Sequence, residues 1–319
     1  MALVESPVPD LLDGQVLVRN TFMSVDPYLR GRMGDQPSYV APFALDEPME
    51  ARAVGTVVAS RNPEIEVGAV ALHGLGWREL SVLTPDEVTI AADLGDHQSA
   101  HLGLFGVTGM TAWMGLFEVA GIRPGEALYV SSAAGAVGAT VAQLAKFSGA
   151  TVIGSAGTPS KIAYLRDELG FDAVFDYHEG PIRESLRGAM EEAGVKALDI
   201  FFDNVGGEQL EAAIRAMRPH GRIVLCGAIA VYNSKTPQPG PRNLLLAIQR
   251  SLRIQGFLLS DFEDRRDTFL RGMTHLLDVG AIKSVETRRT GGIEAAWPAF
   301  LGMLRGENTG KMIVALEAP

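Results

Sequence analysis

A strand, a small-residue turn and a helix follow one another between residues 127 and 148, and no other part of the chain constrains the fold as strongly. The apolar run Ala127–Val130 leads into a turn and then into a helix predicted over Val137–Ser148. A second apolar strand, Thr151–Ser155, comes next. This order is typical of nucleotide-binding βαβ units, in which the helix N-terminus presents free N–H groups to a phosphate.

The turn carries two of the three glycines of the G-x-G-x-x-G pattern. Ala133 stands at the first position, and Gly135 and Gly138 occupy the other two. Turns of small residues before a helix are common, so the prediction depends on the strands on either side. In that context we expect a pyrophosphate to contact the backbone of residues Gly135, Ala136, Val137 and Gly138.

The end of the second strand indicates which dinucleotide would bind. NAD-binding units usually place an acid there for the ribose 2′-hydroxyl, whereas this chain has Ser155-Ala156-Gly157-Thr158. Lys161 follows within one turn and could pair with a 2′-phosphate. We therefore predict NADP(H) rather than NAD(H); the alternative is that Lys161 is a solvated surface lysine.

Strand-like runs alternate with helical segments from about Phe105 to Phe262, which predicts an α/β fold with a doubly wound parallel Rossmann sheet. Residues 1–104 are β-rich and suggest a small barrel-like domain, onto which residues 265–319 are expected to pack. The predicted division is 1–104 with 265–319 on the substrate side and 105–264 on the cofactor side. The six runs expected to form the parallel sheet are Ala127–Val130, Thr151–Ser155, Ala173–Asp176, Asp199–Asp203, Arg222–Cys226 and Ile254–Leu258.

Composition excludes several classes of partner and site. The formal net charge of −10 over 319 residues argues against nucleic acid or an anionic membrane as a partner. We find no apolar run long enough to span a membrane and no signal peptide, so we expect a cytoplasmic protein. The single cysteine, Cys226, excludes a cluster of zinc-binding thiolates, and the six histidines lack metal-ligand spacing, so no metal is predicted.

Longer motifs extend the comparison over nearly the whole chain. Together they resemble the zinc-free medium-chain dehydrogenase/reductase superfamily, and within it the prostaglandin reductase and 2-alkenal reductase branch that includes curcumin-reductase-like enzymes. That resemblance implies a GroES-like barrel beside the Rossmann domain. Family members usually carry a further segment before the position of Leu3, so the first strand is expected to be missing. The motifs lie at Ser24–Met33, Gly76-Trp77, Ala133–Gly138, Lys161–Leu165, Phe202–Gly207, Cys226–Asn233 and Glu307–Lys311.

The resemblance also implies how residues would hold NADP(H). Lys161 and Tyr177 would lie at the 2′-phosphoadenosine end, and Asn308 would reach the cofactor from the C-terminal segment. Asn204 ends the fourth strand of the parallel sheet, and could contact cofactor or simply form a turn before two glycines. The rest of the cofactor would be lined by Cys226, Gly227, Ala228, Ile229, Tyr232, Phe257, Leu258 and Leu259.

The implied chemistry is hydride transfer from NADPH to the β-carbon of an α,β-unsaturated ketone or aldehyde. Negative charge then develops on the carbonyl oxygen, which requires a hydrogen-bond donor. Tyr232 is the candidate catalytic donor; the alternative is that it packs on the nicotinamide or caps a loop. Tyr28 could bind substrate or be a half-buried structural aromatic. Cys226 is expected to be a small buried residue near the cofactor rather than a nucleophile.

Two other functions remain open at this stage. A quinone oxidoreductase of the same superfamily would use the same fold and cofactor, and a non-catalytic NADPH-binding module would keep the cofactor motifs without turnover. A homodimer is expected by analogy, with the strand Ile254–Leu258 extending the sheet across a two-fold axis.

Overall fold

The computed structural model describes residues 1–34, 40–234, 236 and 238–316. These residues form two compact units, one of Met1–Gly106 with the segment from Glu286 onward, and one of Val107–Val285. The strands, in chain order, are β1 (Val16–Ser24), β2 (Ala53–Ser60), β3 (Val70–His73), β4 (Leu80–Leu83), β5 (Thr89–Ala91), β6 (Ala127–Val130), β7 (Thr151–Ala156), β8 (Ala173–Asp176), β9 (Leu198–Asp203), β10 (Met217–Leu225), β11 (Arg253–Gly256), β12 (Glu286–Arg289) and β13 (Lys311–Ala315).

The α-helices are mostly short and lie mainly in the second unit. Turns of 3₁₀-helix occur at Pro27–Met33, Gly95–Leu102, Ile229–Val231, Leu259–Arg265 and Gly292–Ala295, and a π-helix at Met114–Ala120 continues the first α-helix. The α-helices are α1 (Val107–Trp113), α2 (Ala136–Phe147), α3 (Pro159–Asp167), α4 (Ile182–Glu192), α5 (Gly207–Ala216), α6 (Leu245–Gln249), α7 (Arg266–Asp278) and α8 (Ala296–Leu304).

The unit of residues 107–285 is built on a six-stranded parallel sheet. Its strand order is β11-β10-β9-β6-β7-β8, so the chain reverses direction of travel between β6 and β9. Ligands of such sheets bind outside the carboxyl ends of the strands at this switch point. The predicted Rossmann sheet is thus confirmed. Its strands β6, β7, β8 and β9 are runs of mostly buried residues.

The first unit is built on a seven-stranded sheet. Its path is β12-β13-β1-β2-β3-β5, with β4 also paired to β1, and its neighbours are antiparallel except for β12 and β13. Helix α8 and the buried side chains of Met23, Leu29, Phe300 and Val314 share one apolar core. The separate β-rich unit expected from the sequence is therefore present.

The two compact units and the predicted domain ranges differ at residues 265–285. The sequence analysis groups this segment with the first domain, whereas the structure groups it with the parallel sheet. The cause is the apolar face of α7: Phe269 packs edge-on against Trp113, with ring centroids 6.2 Å apart. The segment that begins at Glu286, with β12, α8 and β13, joins the first unit.

The helices were also compared with the length of a membrane span. No single helix in the described ranges is long and apolar enough to cross a membrane. By length and composition, only the bent pair of helical segments at Gly95–Leu102 and Val107–Ala120 would reach that length together.

Candidate functional site

The turn between β6 and α2 is held tightly between two strands. The Gly135 N–H donates to the Ser132 carbonyl at 2.9 Å, and the Ala133 N–H donates to the Ser155 carbonyl of β7 at 3.0 Å. A Cβ on Gly138 would lie 2.4 Å from the Ser132 carbonyl oxygen, so a side chain there would displace the turn. Gly138 therefore lets α2 start directly beside the end of β6.

The start of α2 suits an anionic ligand. Gly135 precedes the helix in an extended conformation, and the first turn, which contains Ala136 and Val137, has no acidic residue. The first N–H groups of a helix have no partner within the helix and carry the positive end of its dipole. Ala133 replaces the first glycine of the motif: it is fully buried, and a Cβ on Gly154 would lie 2.8 Å from its methyl group. The pyrophosphate cradle predicted from the glycines thus fits this backbone.

Lys161 and Tyr177 follow adjacent strands. Thr158 caps α3 by accepting the Lys161 N–H at 3.4 Å, and the Tyr177 N–H donates to Ala156 of β7 at 3.2 Å. A Cβ on Gly157 would lie 2.6 Å from the Tyr177 hydroxyl, so this glycine makes room for the ring. Burial lowers the pKa of Lys161, while burial and then the charge of Asp176 raise the pKa of Tyr177. The cationic Lys161 therefore follows the carboxyl end of β7, and the phenol of Tyr177 follows the carboxyl end of β8.

A buried polar network joins the ends of β6 and β9. The Ser131 hydroxyl donates to Asp203 Oδ1 at 3.0 Å, and the same carboxylate oxygen accepts the N–H groups of Val205 and Gly206 at 3.0 and 2.9 Å. Asp203 Oδ2 is buried without a partner in the described structure. Burial raises the pKa of Asp203. The sequence analysis missed Ser131 and Asp203, although Asp203 directly precedes Asn204 in the quoted motif.

Asn204 is fixed by this network. Its side-chain amide donates to the Ser131 carbonyl at 2.8 Å, and its backbone N–H donates to the Ser131 hydroxyl at 2.8 Å. Asn204 thus links the end of β9 to the end of β6. Both alternatives raised from the sequence, a turn-forming residue and a cofactor contact, are compatible with this geometry.

The segment from Cys226 to Tyr232 wraps over the end of β9. The N–H groups of Cys226 and Gly227 donate to the Asp203 carbonyl at 2.9 and 3.0 Å, and the Ile229 N–H donates to the Asn204 carbonyl at 3.3 Å. Burial raises the pKa of the Cys226 thiol to about 12, so this group stays protonated at neutral pH. This protonation agrees with the expectation that Cys226 is not a nucleophile.

The Tyr232 hydroxyl lies close to the backbone of the same segment. A Cβ on Gly227 would be 3.6 Å from this oxygen. Burial raises the pKa of Tyr232, and a hydrogen bond from the Ala228 backbone partly offsets that rise. This hydroxyl is therefore protonated at neutral pH.

The segment Phe257–Leu259 continues from β11. A Cβ on Gly115 would lie 3.1 Å from the Phe257 ring and 2.6 Å from the ring of Phe202 in β9. Phe257 therefore packs against the π-helix, whereas Leu258 is 45% exposed. These residues follow the edge strand of the parallel sheet.

Two predicted site residues belong to the other compact unit. Tyr28 is partly buried against the apolar core that contains Leu29 and Phe300, within the 3₁₀-turn Pro27–Met33. Val25 and Asp26 come shortly before Tyr28 in the chain. The buried Lys311 side chain donates to the Asp26 carboxylate and to the Val25 carbonyl. The Asn308 amide donates to the Gly310 carbonyl at 2.7 Å. Their predicted contacts with substrate and cofactor remain predictions.

Among the described residues, no group of three or more His, Cys, Asp or Glu side chains is arranged to hold a metal ion. At the ends of β6 and β9 the polar groups are the Ser131 hydroxyl, the Asn204 amide and the buried Asp203 carboxylate.

Comparison with known proteins extends these observations. Residues 1–91 match the family profile described as the N-terminal domain of oxidoreductase, and residues 136–275 match the profile described as zinc-binding dehydrogenase. An NADPH-dependent curcumin reductase of Escherichia coli (strain K12) is 35% identical over 98% of this chain and 90% of its own length. A 2-alkenal reductase (NADP(+)-dependent) of Nicotiana tabacum is 36% identical over 95% of this chain and 87% of its own.

A solved structure shares the whole fold. The crystal structure of CurA from Vibrio vulnificus in complex with NADPH superimposes with a TM-score of 0.93 at 36% identity, covering 100% of this chain and 94% of that one. Similarity at this level of identity and coverage extends over both compact units. The chain therefore belongs to the zinc-free medium-chain dehydrogenase/reductase superfamily, in its branch of NADP-dependent prostaglandin, 2-alkenal and curcumin reductases.

Proposed function

We propose that this chain reduces the carbon–carbon double bond of α,β-unsaturated ketones or aldehydes with NADPH. The observation that carries the proposal is that a phosphate-binding helix start, a half-buried cation and a protonated tyrosine all follow the carboxyl ends of strands in one parallel sheet. The substrate class comes from the two relatives, whose names specify curcumin and 2-alkenals.

Different residues would bind different parts of NADPH. The backbone from Gly135 to Gly138 would hold the pyrophosphate through N–H groups and the helix dipole. Lys161 would pair with the 2′-phosphate and Tyr177 would cover the adenosine beside it, since no acid stands at the end of β7 to repel that phosphate. Asn204, held by Ser131, would offer its amide oxygen to the nicotinamide side. This set explains a preference for NADPH over NADH.

Bound NADPH supplies the hydride, and the protein supplies position and an electric field. Tyr232 would donate its hydroxyl proton in a hydrogen bond to the substrate carbonyl, where negative charge grows as the β-carbon is reduced. A preorganised donor of this kind lowers a barrier by roughly 3 kcal/mol. The apolar ring of Phe257 and the protonated Cys226 would keep water from this side of the pocket.

The deciding experiment measures NADPH and NADH oxidation by the purified protein over enones, enals, quinones and saturated alcohols. We expect faster oxidation of NADPH with enones or enals, and a saturated carbonyl as the product. Activity confined to quinones would identify a quinone oxidoreductase, and NADPH binding without turnover would identify a binding module. Either result would overturn the proposal.

A lysine variant tests the cofactor assignment. Lys161→Ala should raise the KM for NADPH by about tenfold or more and leave the KM for NADH nearly unchanged, because only NADPH carries the 2′-phosphate. Lys283→Ala is the matched control. Lys283 pairs with Glu168 at 2.8 Å and lies near Tyr164 of α3, the helix that contains Lys161. Equal effects on both coenzymes would remove Lys161 from phosphate recognition.

We also propose that two copies associate through β11, the edge strand of the parallel sheet. Its residues are mostly exposed, in contrast to β8 at the opposite edge, which is mostly buried. A strand edge that pairs with its own symmetry copy satisfies its free backbone groups on both chains at once.

A further inference from the structure

A cavity of about 450 Å³ opens at the edge of the parallel sheet that lies away from the glycine turn. Its walls come from α4, from the end of α5, and from residues at the amino ends of β9 and β10. The glycine turn follows the carboxyl end of β6, and the amino ends of parallel strands lie at the opposite edge. The proposed coenzyme site and this cavity are therefore separate places in one unit.

Charge sets this cavity apart from the rest of the molecule. Five cationic side chains line it against one acid, Glu184, although the chain as a whole has a formal net charge of −10. The cations come from helix α4, from the segment before β9, from the end of α5 and from the segment before β11. They are Arg183, Arg187, Lys196, Arg215 and Arg250.

Two of the five cations have partners in the described structure. Arg250 donates to the carbonyls of Arg215 and Met217 at 2.6 Å, which caps the end of α5. Arg187 lies 3.7 Å from Glu191 one helical turn away. No salt bridge joins Arg183, Lys196 or Arg215 to an acid among the described residues. Arg183 and Lys196 thus line the cavity without a salt-bridged acid, whereas the charge of Arg215 also acts on Glu211.

The floor of the cavity is apolar. Leu186, Met190 and Met217 line it, and each belongs to the buried core of this unit. The ligand class must match both surfaces, an anionic group for the rim and an apolar body for the floor. A volume of about 450 Å³ lies within the range of small-molecule sites, roughly 300–1,000 Å³.

We propose that this cavity binds a small organic phosphate, with its apolar portion on the floor and its phosphate held by Arg183, Lys196 and Arg215. A phosphate monoester carries close to two negative charges at neutral pH and three acceptor oxygens, which suits three cations better than a single carboxylate does. Arginine forks also match phosphate oxygens in pairs. A nucleic acid or a phosphorylated protein would extend beyond the cavity and be repelled by the chain as a whole, whose formal net charge is −10.

The test is calorimetric titration of 1-naphthyl phosphate into protein saturated with NADP+, so that the coenzyme site cannot contribute. We expect one site with a Kd below about 1 mM, and at least tenfold weaker binding of 1-naphthol and of inorganic phosphate, since each lacks one half of the ligand. The double variant Arg183→Ala/Lys196→Ala should bind the ester at least tenfold more weakly. Its melting temperature and its reductase turnover should equal those of the wild type.

The control variant Arg19→Ala/Arg271→Ala removes two exposed cations elsewhere and should bind the ester like the wild type. Equal weakening in the two double variants would mean general electrostatic attraction and would overturn the proposal. Binding of 1-naphthol as tight as that of the ester would also overturn it. A crystal soaked with the ester gives an independent reading: density against Leu186 and Met190 supports the site, and density only elsewhere contradicts it.

Discussion

The Tyr232 hydroxyl is the proposed hydrogen-bond donor to the substrate carbonyl. Tyr232→Phe removes the proton donor and keeps the ring, so kcat should fall by about tenfold or more while the KM for NADPH stays within about twofold. Tyr164→Phe removes a hydroxyl from α3 and should leave kcat unchanged. Steady-state kinetics with an enone checks this, and an unchanged kcat in Tyr232→Phe would remove Tyr232 from the mechanism.

The same hydroxyl predicts the shape of the pH profile. Burial raises the pKa of Tyr232 above its ordinary value of 10, so the group remains a donor throughout the neutral and mildly alkaline range. The protonated form is lost only as the pH rises through that raised value. We expect kcat to be flat between about pH 7 and 9, with any alkaline decline starting above about pH 10 and absent from Tyr232→Phe. A decline centred near pH 8 would point to another group.

His73 makes a prediction about stability. It is buried in the first unit, where its Nε2 contacts Asn20 Oδ1 at 2.8 Å and its Nδ1 accepts the Leu75 N–H at 3.1 Å. Burial, and then the charge of Arg78, lower the pKa of His73 to about 4. Between about pH 6.5 and pH 4, His73 is therefore protonated in the unfolded chain but neutral in the folded protein. The free energy of unfolding falls as the pH falls through that window.

The His73 contribution is about 3 kcal/mol at most by linkage. His73→Gln should therefore show a smaller fall in melting temperature between pH 7.5 and pH 5 than the wild type, measured by calorimetry. His275→Gln, which changes an exposed residue of α7, should keep the wild-type pH dependence. A pH dependence that His73→Gln leaves intact would assign it to other groups.

The sequence motifs single out individual residues but not the partners that the fold gives them. Asn204 was singled out by its motif, but its fixation by Ser131 links positions 73 residues apart, which no local pattern shows. The buried Asp203 was missed for the same reason. The local sequence does not show that the Asp203 side chain is buried, because its burial depends on the packing of the sheet.

At the scale of elements, the turn before α2 depends on a glycine. Gly138→Ala would place a Cβ 2.4 Å from the Ser132 carbonyl, so the turn must shift away from its close approach to β6. We expect a raised KM for NADPH, by about tenfold, and a loss of stability of about 1–3 kcal/mol, because overpacking moves backbone. Fluorescence titration of NADPH and thermal unfolding check both.

Gly188→Ala is the matched control for Gly138→Ala. Gly188 lies inside helix α4, and a Cβ there would meet no atom within 4 Å. This change should stabilise the protein by about 0.5–1 kcal/mol and leave NADPH binding unchanged. If both alanines affected coenzyme binding equally, the turn geometry would not be the cause.

The predicted elements were most accurate where apolar runs are buried on both faces. The strands β6 and β8 have the predicted bounds, and β7 and β9 differ by one residue at one end. In contrast, β4 and β5 were not predicted, because strands of four and three residues give too short an alternation to recognise. The edge strand β11 ends at Gly256, since Phe257 leaves the sheet to pack beside Gly115.

At the scale of the whole molecule, patterning predicted which faces are apolar but not what covers them. Helix α7 buries one apolar face, which consists of Phe269, Met273 and Leu276. Its partner is Trp113 of α1. Because Gly272 has no side chain, α7 can approach the Trp113 ring closely. A periodic apolar stripe specifies no partner, and this is why residues 265–285 were grouped with the first unit.

The same reasoning applies to the uncovered surface beside β11. Leu245 and Ile248 of α6 are 63% and 77% exposed, and they precede the edge strand by a few residues. The Arg253 guanidinium donates to the Val119 carbonyl of its own chain. An apolar helix face next to an open, self-complementary strand favours a second copy of this chain as its cover.

Light scattering on a sizing column tests this association. The wild type should elute with about twice the chain mass of 34.0 kDa, and Leu245→Glu/Ile248→Glu should elute as a monomer at micromolar concentration, because two buried charges per chain would oppose pairing. Leu45→Glu/Val67→Glu changes two exposed apolar residues of the other unit and should remain dimeric. A monomeric wild type, or a dimer that survives both α6 substitutions, would show that this face is covered in another way. If the dimer forms as proposed, the two six-stranded sheets become one twelve-stranded sheet, and the segment Phe257–Leu259 that follows β11 is then held by both chains.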